Sequence, residues 1–403
     1  MRATLLAVIL LLCAAVPAQA GQVVFSRDSG ELRELWVMDD SGGNARLLVD
    51  NVALGMTELR EPAASADGRT VAFTGTTPRN AGTFDGQFHY GINATGLYLW
   101  RSGKVRRVTG APAQCAGCSS FETTPSITPG GGTVTAETFF STASVGNFGR
   151  LLVRPPGGGE AQQFATACEE TAVGDPAAAP RGNAVAYVGC DANVLVSGPG
   201  RAGEHPAHFV AARGDFAPET RSPAWSPDGS RLAAIDRPGD ETTEVWTFGA
   251  DGSDPRLVLT APKGVGIRTV TYMGPSRLLF DVAYDNGTDL WTAPTSCAAC
   301  AFPAGVKRLT NNGMSHDPAW TPGTIGGAPT VKALKAKRAL KLRLTLPRAA
   351  TVKFTVRGFG TVRRKVKAGT HTVRIAKGIA RGRYRVTVRV PGFKARKITA
   401  RAR

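Results

Sequence analysis

The last 74 residues of this 403-residue chain, 330–403, contain no aspartate and no glutamate, against 24 lysines and arginines. Residues 1–329 hold 25 basic and 31 acidic side chains. The formal net charge of +18 and the pI near 10.1 therefore describe neither part. They are the sum of a mildly acidic body and a strongly cationic module. Also missing, after the first 20 residues, is any apolar run of membrane length, so no transmembrane span is expected. There is no G-x-S-x-G elbow and no α/β-hydrolase segment, which leaves a serine-hydrolase reading without its catalytic half. Histidine is scarce, with five in the chain. His205 and His208 stand three apart in "GEHPAH", but Pro206 speaks against a helix that would align them on a metal.

What is present begins with an export signal. Arg2, an apolar run from Leu5 to Val16 and Ala18-Gln19-Ala20 have the order of a secretory signal peptide, 1–20. Cys13 follows Leu12, not the small residue a lipoprotein signal would want. The mature chain is expected to be exported, to periplasm, cell wall or medium. Six further cysteines remain: Cys115, Cys118, Cys168, Cys190, Cys297 and Cys300. An even number in an exported chain reads as disulfides, with local staples at 115–118 and 297–300 and, by elimination, 168–190. "CAGC" and "CAAC" as two halves of a zinc site are the alternative. Neither has the histidine partners or the short separation of a known finger, so no metal and no cofactor is expected.

The body repeats. "SPAWSPDGSRLAAI" (222–235) is a strand, a Pro-Asp-Gly turn and an apolar strand. Related phrases start at Pro62 ("PAASADGRTVAF"), Pro125 ("PSITPGGGTVTA"), Pro176 ("PAAAPRGNAVAY") and Pro318 ("PAWTPG"). "VTYMGPSRLLF" from Val270 is the same pattern with the first proline lost. A second phrase follows, an aromatic-bearing strand, a Gly-rich turn and a strand, as in "ELWVMDDSGGNARLLV" (34–49) and "EVWTFGADGSDPRLVLT" (244–260); it is weak in "RLLVRPPGGGEAQQFA" (150–165) and weaker at "NVLV" (193–196). Four short strands per unit is the content of a propeller blade. The chain starts at "QVVFS" (22–26), a second strand without a first, and the repeats finish at "HDPAWTPG" (316–323), a first strand without a second. Together they complete one blade and hide the sheet edges.

These phrases resemble the repeats of TolB-type periplasmic propellers over residues 22–323. The resemblance implies architecture more than function, because such blades also occur in binding proteins and peptidase side domains. The α/β domain that precedes the propeller in that family has no counterpart here, so its partner contacts do not carry over. The expected fold is all-β: a six-bladed β-propeller (21–323) closed by N- and C-terminal strands, a linker (324–329) and a small cationic β-sandwich (330–403). The six tryptophans all fall in repeat phrases and are read as packing between blades.

The cationic module alternates in period two: Leu342, Leu344, Leu346; Val352, Phe354, Val356; Tyr384, Val386, Val388, Val390. Lys341, Arg343, Lys353, Arg374, Arg385 and Arg389 stand between, so one face of each strand can enter a core while the other presents an anion-binding face. "GIARGRYRVTVRVPGF" resembles the closing strands of bacterial Ig-like or fibronectin-like modules.

In a propeller the inner strands line a channel, and the residues before each first-strand proline lie at its mouth. Two before stand Arg60, Thr123, Gly174, Arg221, Arg268 and His316; one before stand Glu61, Thr124, Asp175, Ser222, Thr269 and Asp317. Arg60, Glu61, Asp175, Arg221, Arg268, His316 and Asp317 are the candidate ligand-binding residues, for an anionic or carboxylate-bearing ligand. The bland alternative is that these charges pair from blade to blade. The 76–96 insert is a further candidate binding loop, and Asn93 opens a glycosylation sequon. The expected protein is a monomeric, non-enzymatic envelope protein. Its propeller would bind a protein or ligand, and its basic domain would attach to an anionic cell-wall or membrane polymer. Intracellular nucleic acid is not an expected partner. An exported carbohydrate-active or lactonase-type enzyme with a metal site in the channel is the alternative.

Overall fold

The computed structural model describes residues 21–77, 82–84, 87–89, 94–109, 118–141, 147–166, 174–189, 191, 193–213, 217–326, 330–346, 350–367, 369–390 and 395–402. The expected signal peptide, Cys115, Cys168, Cys190 and Asn93 of the sequon lie outside them, as does the side chain of Cys118. Of the 76–96 insert, Gly82–Phe84 and Gln87–His89 pair as a two-stranded sheet. Among the described residues the regular structure is strands and two short 3₁₀ turns. None of their helices is long and apolar enough to cross a membrane.

Strand Arg277–Tyr284 (RLLFDVAY) shows how the body is built. Its central residues are buried on both faces, which a strand needs when it is wedged between two neighbouring sheets. Leu278, Phe280 and Val282 enter one apolar cluster, while Leu279 enters another on the opposite side. That double burial is why the second strand of most repeats reads as a nearly continuous apolar run.

Antiparallel pairing groups the strands of residues 22–321 as follows. Sheet I joins Ser315–Thr321 to Gln22–Ser29, Leu32–Asp39 and Arg46–Val49. Sheet II is Glu58–Ala64, Thr70–Thr77, Ala94–Arg101 and Lys104–Arg107. Sheet III is Cys118–Ile127, Thr133–Ser141, Asn147–Arg154 and Gln162–Thr166. Sheet IV is Gly174–Ala178, Val185–Val188, Asn193–Ser197 and His205–Phe209. Sheet V is Glu219–Trp225, Arg231–Arg237, Thr243–Gly249 and Arg256–Ala261. Sheet VI is Gly266–Tyr272, Arg277–Tyr284, Gly287–Pro294 and Lys307–Arg308. Sheets I and II also touch by one parallel pairing, Arg33 with Glu58. The inner strands contact one another in the order II, III, IV, V, VI, I, and that of sheet I contacts that of sheet II.

Side-chain packing follows the same succession. A separate apolar cluster fills each seam, from the one around Phe73 and Val24 (I–II) to that around Phe280 and Val245 (V–VI) and that around Phe25 and Leu279 (VI–I). Trp225, Trp246, Trp291, Trp36, Trp320 and Trp100 all pack in these seams. The Trp225 indole donates to the Ala177 carbonyl of sheet IV at 2.9 Å, tying two sheets together. Residues expected as linker belong to this core: Ile325 is fully buried in the I–II seam and its N–H donates to the Gln22 side-chain carbonyl at 2.8 Å.

The repeated turn phrase gives one repeated geometry. In "SPDGS" the Asp228 carboxylate accepts from Ser226 Oγ (2.6 Å) and from the Ser230 N–H (3.1 Å), while Gly229 takes φ 76°. These donors hold Asp228 down at a pKa of about 2. "SADGR" repeats it with Ser65, Asp67 and Gly68 at φ 69°.

Residues 330–402 form a three-stranded sheet (Thr330–Leu334, Ala339–Leu346, Gly369–Lys377) and a four-stranded one, ordered Gly360–Val366, Ala350–Val356, Gly382–Arg389, Arg396–Ala402. Leu342, Leu344, Val352, Phe354, Val386 and Val388 meet in one apolar cluster drawn from both sheets. The alternation read from the sequence is thus the inward half of two facing sheets.

Candidate functional site

The inner strands of all six sheets line one cavity of about 1020 Å³, at the upper end of ordinary ligand sites. Its wall includes Glu61, Asp175, Arg221, Arg268 and Asp317 of the sequence-derived candidates. Arg60 and His316 are not among its lining residues. Each inner strand carries a β-bulge at the residues before its first-strand proline or Val270; the row one before lines the cavity on all six strands, whereas of the row two before Arg221 and Arg268 do so. His316 instead is buried and its Nε2 lies 2.6 Å from Asp28 Oδ2. Arg60 turns to Glu58 at 2.6 Å. Arg221 pairs with Glu219, which also meets Arg237 at 3.6 Å. Burial and the nearness of Arg221 lower Arg237's pKa from its ordinary value, with Arg268 adding to the effect.

The bulge has a chemical signature. Glu61, Thr124, Asp175, Ser222 and Asp317 all have positive φ, between 45° and 52°, a conformation that L residues rarely adopt. Each precedes a proline. At the one inner strand whose proline is replaced, the preceding Thr269 is not among the positive-φ residues. Proline has no N–H to leave unsatisfied where the ladder breaks. Val270, which keeps its N–H, donates it to Ser222 Oγ at 3.0 Å.

These bulged residues link the sheets. The Glu61 N–H donates to Asp317 Oδ2 (3.4 Å), and the Thr124 N–H to Glu61 Oε2 (2.7 Å). The Ala178 N–H donates to Ser126 Oγ (2.9 Å), and the Ser222 N–H to Asp175 Oδ2 (2.8 Å). Beyond Val270 and Ser222, the Asp317 N–H donates to Asp281 Oδ2 at 3.3 Å. Every seam therefore carries a side-chain-to-backbone hydrogen bond at the level of the bulges. Asp281, absent from the sequence-derived candidates, is fully buried and also accepts from Thr269 N–H (2.7 Å) and Oγ1 (2.8 Å). Its signal was a lone carboxylate in the apolar run "RLLFDVAY".

Gathering carboxylates away from water raises their pKa values. Glu61 is pushed to about 7, chiefly by burial, with Asp317 and Asp175 repelling its charge and the Thr124 N–H opposing the shift. Asp175 and Asp281 are also raised, in both cases mainly by burial. Chemically, the wall offers one carboxyl poised near neutrality, four arginines (Arg69, Arg101, Arg221 and Arg268) and half-buried Trp225 and Trp320. His205 and His208 lie outside this cavity's lining. His205 contacts the Gly203 and Ala250 carbonyls, and His208 Nε2 sits 2.7 Å from Asp236 Oδ2 while its ring stacks on Phe248. Among the described residues no three metal-ligating side chains come together.

The anion-face candidates divide between two surfaces. Lys341, Arg343 and Arg374 lie on the outer face of the three-stranded sheet, with Lys341 paired to Arg374 in register. Lys353, Arg385 and Arg389 lie on the outer face of the four-stranded sheet, Lys353 flanked by Arg363 and Arg389. Of the cysteines, Cys297 and Cys300 form a disulfide.

No family model matches the chain, and no curated protein matches it. Among solved structures, TolB from Acinetobacter baumannii superposes with a TM-score of 0.52 at 13% identity, covering 75% of this chain and 66% of that one. Kuenenia stuttgartiensis hydrazine synthase gives 0.53 at 12% identity, covering 75% and 47%. A putative TolB from Agrobacterium tumefaciens gives 0.48 at 12% identity, covering 76% and 92%. The chain spans under two thirds of the length of the first two. At such identities the likeness concerns the fold alone, and that fold is a TolB-like β-propeller.

Proposed function

We propose that this is an exported, non-enzymatic protein of the cell envelope. Its sheets I–VI are the blades of a closed six-bladed propeller that serves as a binding scaffold. An independent Ig-like domain from residue 330 attaches it to an anionic envelope polymer. The observation that carries this reading is the acid-free pair of sheets at 330–402, whose outward lysines and arginines have no carboxylate side chain in their own domain to neutralise them. Such a surface attracts polyanions with a strong salt dependence. Glu61, Asp175, Asp281 and Asp317 support the scaffold half of the reading, since each accepts a backbone N–H of the next sheet and holds a seam.

The test is retention of the full mature chain on isolated cell envelopes across a salt series. Replacing Lys341, Arg343, Lys353, Arg374, Arg385 and Arg389 together by Gln is expected to abolish retention near physiological salt. Salt-insensitive retention of this variant would remove the anchoring role. The second reading, an exported propeller enzyme with a metal in its channel, draws on one observation: Glu61, held near pH 7 at the cavity wall, suits general acid–base work. Divalent-metal-dependent turnover of a sugar or lactone that is lost in Glu61→Gln would establish it in place of the first.

A further inference from the structure

Resting on that attachment reading, we infer that the C-terminal domain is a cross-linker: it holds two phosphate-bearing polymer chains at once, one on each outer sheet face. The two faces are built independently. On the three-stranded sheet Lys332 pairs with Arg343, and Lys341 with Arg374. On the four-stranded sheet Arg363, Lys353 and Arg389 form one row across three strands, while Arg383 pairs with Arg401 and Thr355 with Thr361 and Thr387. Residues alternating with these cations, such as Leu342, Leu344, Phe354 and Val388, fill the shared core. Strand alternation therefore sends the two cation sets in opposite directions.

Distance decides whether two polyanions can be held without repelling each other. Facing sheets stand about 10 Å apart, and a lysine or arginine side chain lengthens the gap on either side. The Debye length near physiological ionic strength is about 8 Å. Anionic chains on the two faces are therefore screened from one another, while each meets its own row of cations.

The chemistry favours a phosphate polymer over a bilayer. Arginines outnumber lysines 14 to 10 in residues 330–403, and the guanidinium fork matches phosphate oxygens two at a time. On the outward faces threonines such as Thr345, Thr355, Thr361 and Thr387 stand among the cations. Among the described residues of the domain Phe359, at a hairpin turn, is the one strongly exposed large hydrophobic side chain. A row of cations at the strand spacing of about 4.8 Å suits a linear chain lying across the strands.

The experiment uses the full mature chain with long-chain inorganic polyphosphate. Binding is read by anisotropy of end-labelled polymer, and cross-linking by light scattering near charge equivalence. Two variants remove the paired cations of one face each: Lys332→Gln/Lys341→Gln/Arg343→Gln/Arg374→Gln and Lys353→Gln/Arg363→Gln/Arg383→Gln/Arg389→Gln/Arg401→Gln. The wild type is expected to bind and to scatter. Each variant is expected to keep binding within about tenfold, with a shallower salt slope, yet to lose cross-linking. Tripolyphosphate, too short to be shared between molecules, should bind without scattering and suppress the scattering of the long polymer. That arm needs no variant and stands whether or not the variants fold. A wild type that binds but does not cross-link overturns this inference and leaves the attachment reading intact. So does either single-face variant cross-linking as well as the wild type, which would assign the effect to self-association or to one face. A wild type that fails to bind overturns the attachment reading itself.

Discussion

Glu61 carries a residue-scale consequence of how the seams are tied. Its pKa rises from 4.5 to about 7 on folding, so the folded chain holds this proton more tightly than the unfolded one. The stability it contributes is complete below the unfolded value and is lost as pH climbs through about 7. Glu61→Gln keeps an acceptor for the Thr124 N–H but cannot ionise beside Asp317 and Asp175. Between pH 5 and pH 8 the wild type should therefore lose on the order of 2 kcal/mol relative to this variant. Urea unfolding of both proteins at several pH values checks this. Parallel pH profiles would mean that the carboxylate is less crowded than the geometry indicates. Asp175 gives the complementary case. Asp175→Ala leaves the part-buried Ser222 N–H without its acceptor and should cost about 1 kcal/mol. Asp175→Asn keeps an acceptor and drops a charge that burial already disfavours, so it should cost clearly less by the same measurement.

At the scale of the element, adjacent residues of one strand serve different seams. Phe280 and Leu279 are both fully buried, the first between sheets V and VI and the second between VI and I. Phe280→Ala should cost about 3–5 kcal/mol and Leu279→Ala about 2–5 kcal/mol. The two side chains share a backbone but no cluster, so their coupling in the double variant should stay near the low end, about 0.5 kcal/mol, of the range for neighbouring residues. Strong coupling would mean that the seams are not separate packing units. The same strand shows what sequence could reveal. Its apolar run, the Pro-Asp-Gly turns and the tryptophan register were legible because pleat and turn chemistry depend on neighbours in the chain. The bulge was not. It breaks the pairing of each inner strand with the second strand of its own sheet, and the partner that draws His316 from the cavity, Asp28, stands 288 residues away, while Glu61, Asp175 and Asp317 stay on the wall. Asp281 escaped notice because its partners, Thr269 and Asp317, lie 12 and 36 residues away. Alternation likewise foretold which residues of the C-terminal sheets face outward, but not that Arg343 and Arg389 stand on different sheets.

For the whole molecule, the charge imbalance is itself a stability term. The propeller segment balances its charges locally, with pairs such as Arg154–Glu122 buried at 2.6 Å. The C-terminal sheets have 24 cations and no acid, so folding them concentrates like charge that the unfolded chain spreads out. Salt screens this repulsion over a Debye length that shrinks from about 30 Å at 0.01 M to about 3 Å at 1 M. Unfolding of the C-terminal sheets should accordingly shift to higher temperature as sodium chloride rises over that range, while the propeller responds weakly. Amide hydrogen exchange separates the two parts without cutting the chain: protection at Leu342, Val352 and Val386 should rise with salt, whereas Phe25, Phe73 and Phe280 should change little. Polyphosphate at low salt should protect the first group at least as strongly, because it supplies the missing anions directly. Equal salt responses in the two parts would mean that the cations are already compensated in the folded chain, and an anionic partner would then have little to gain by docking there.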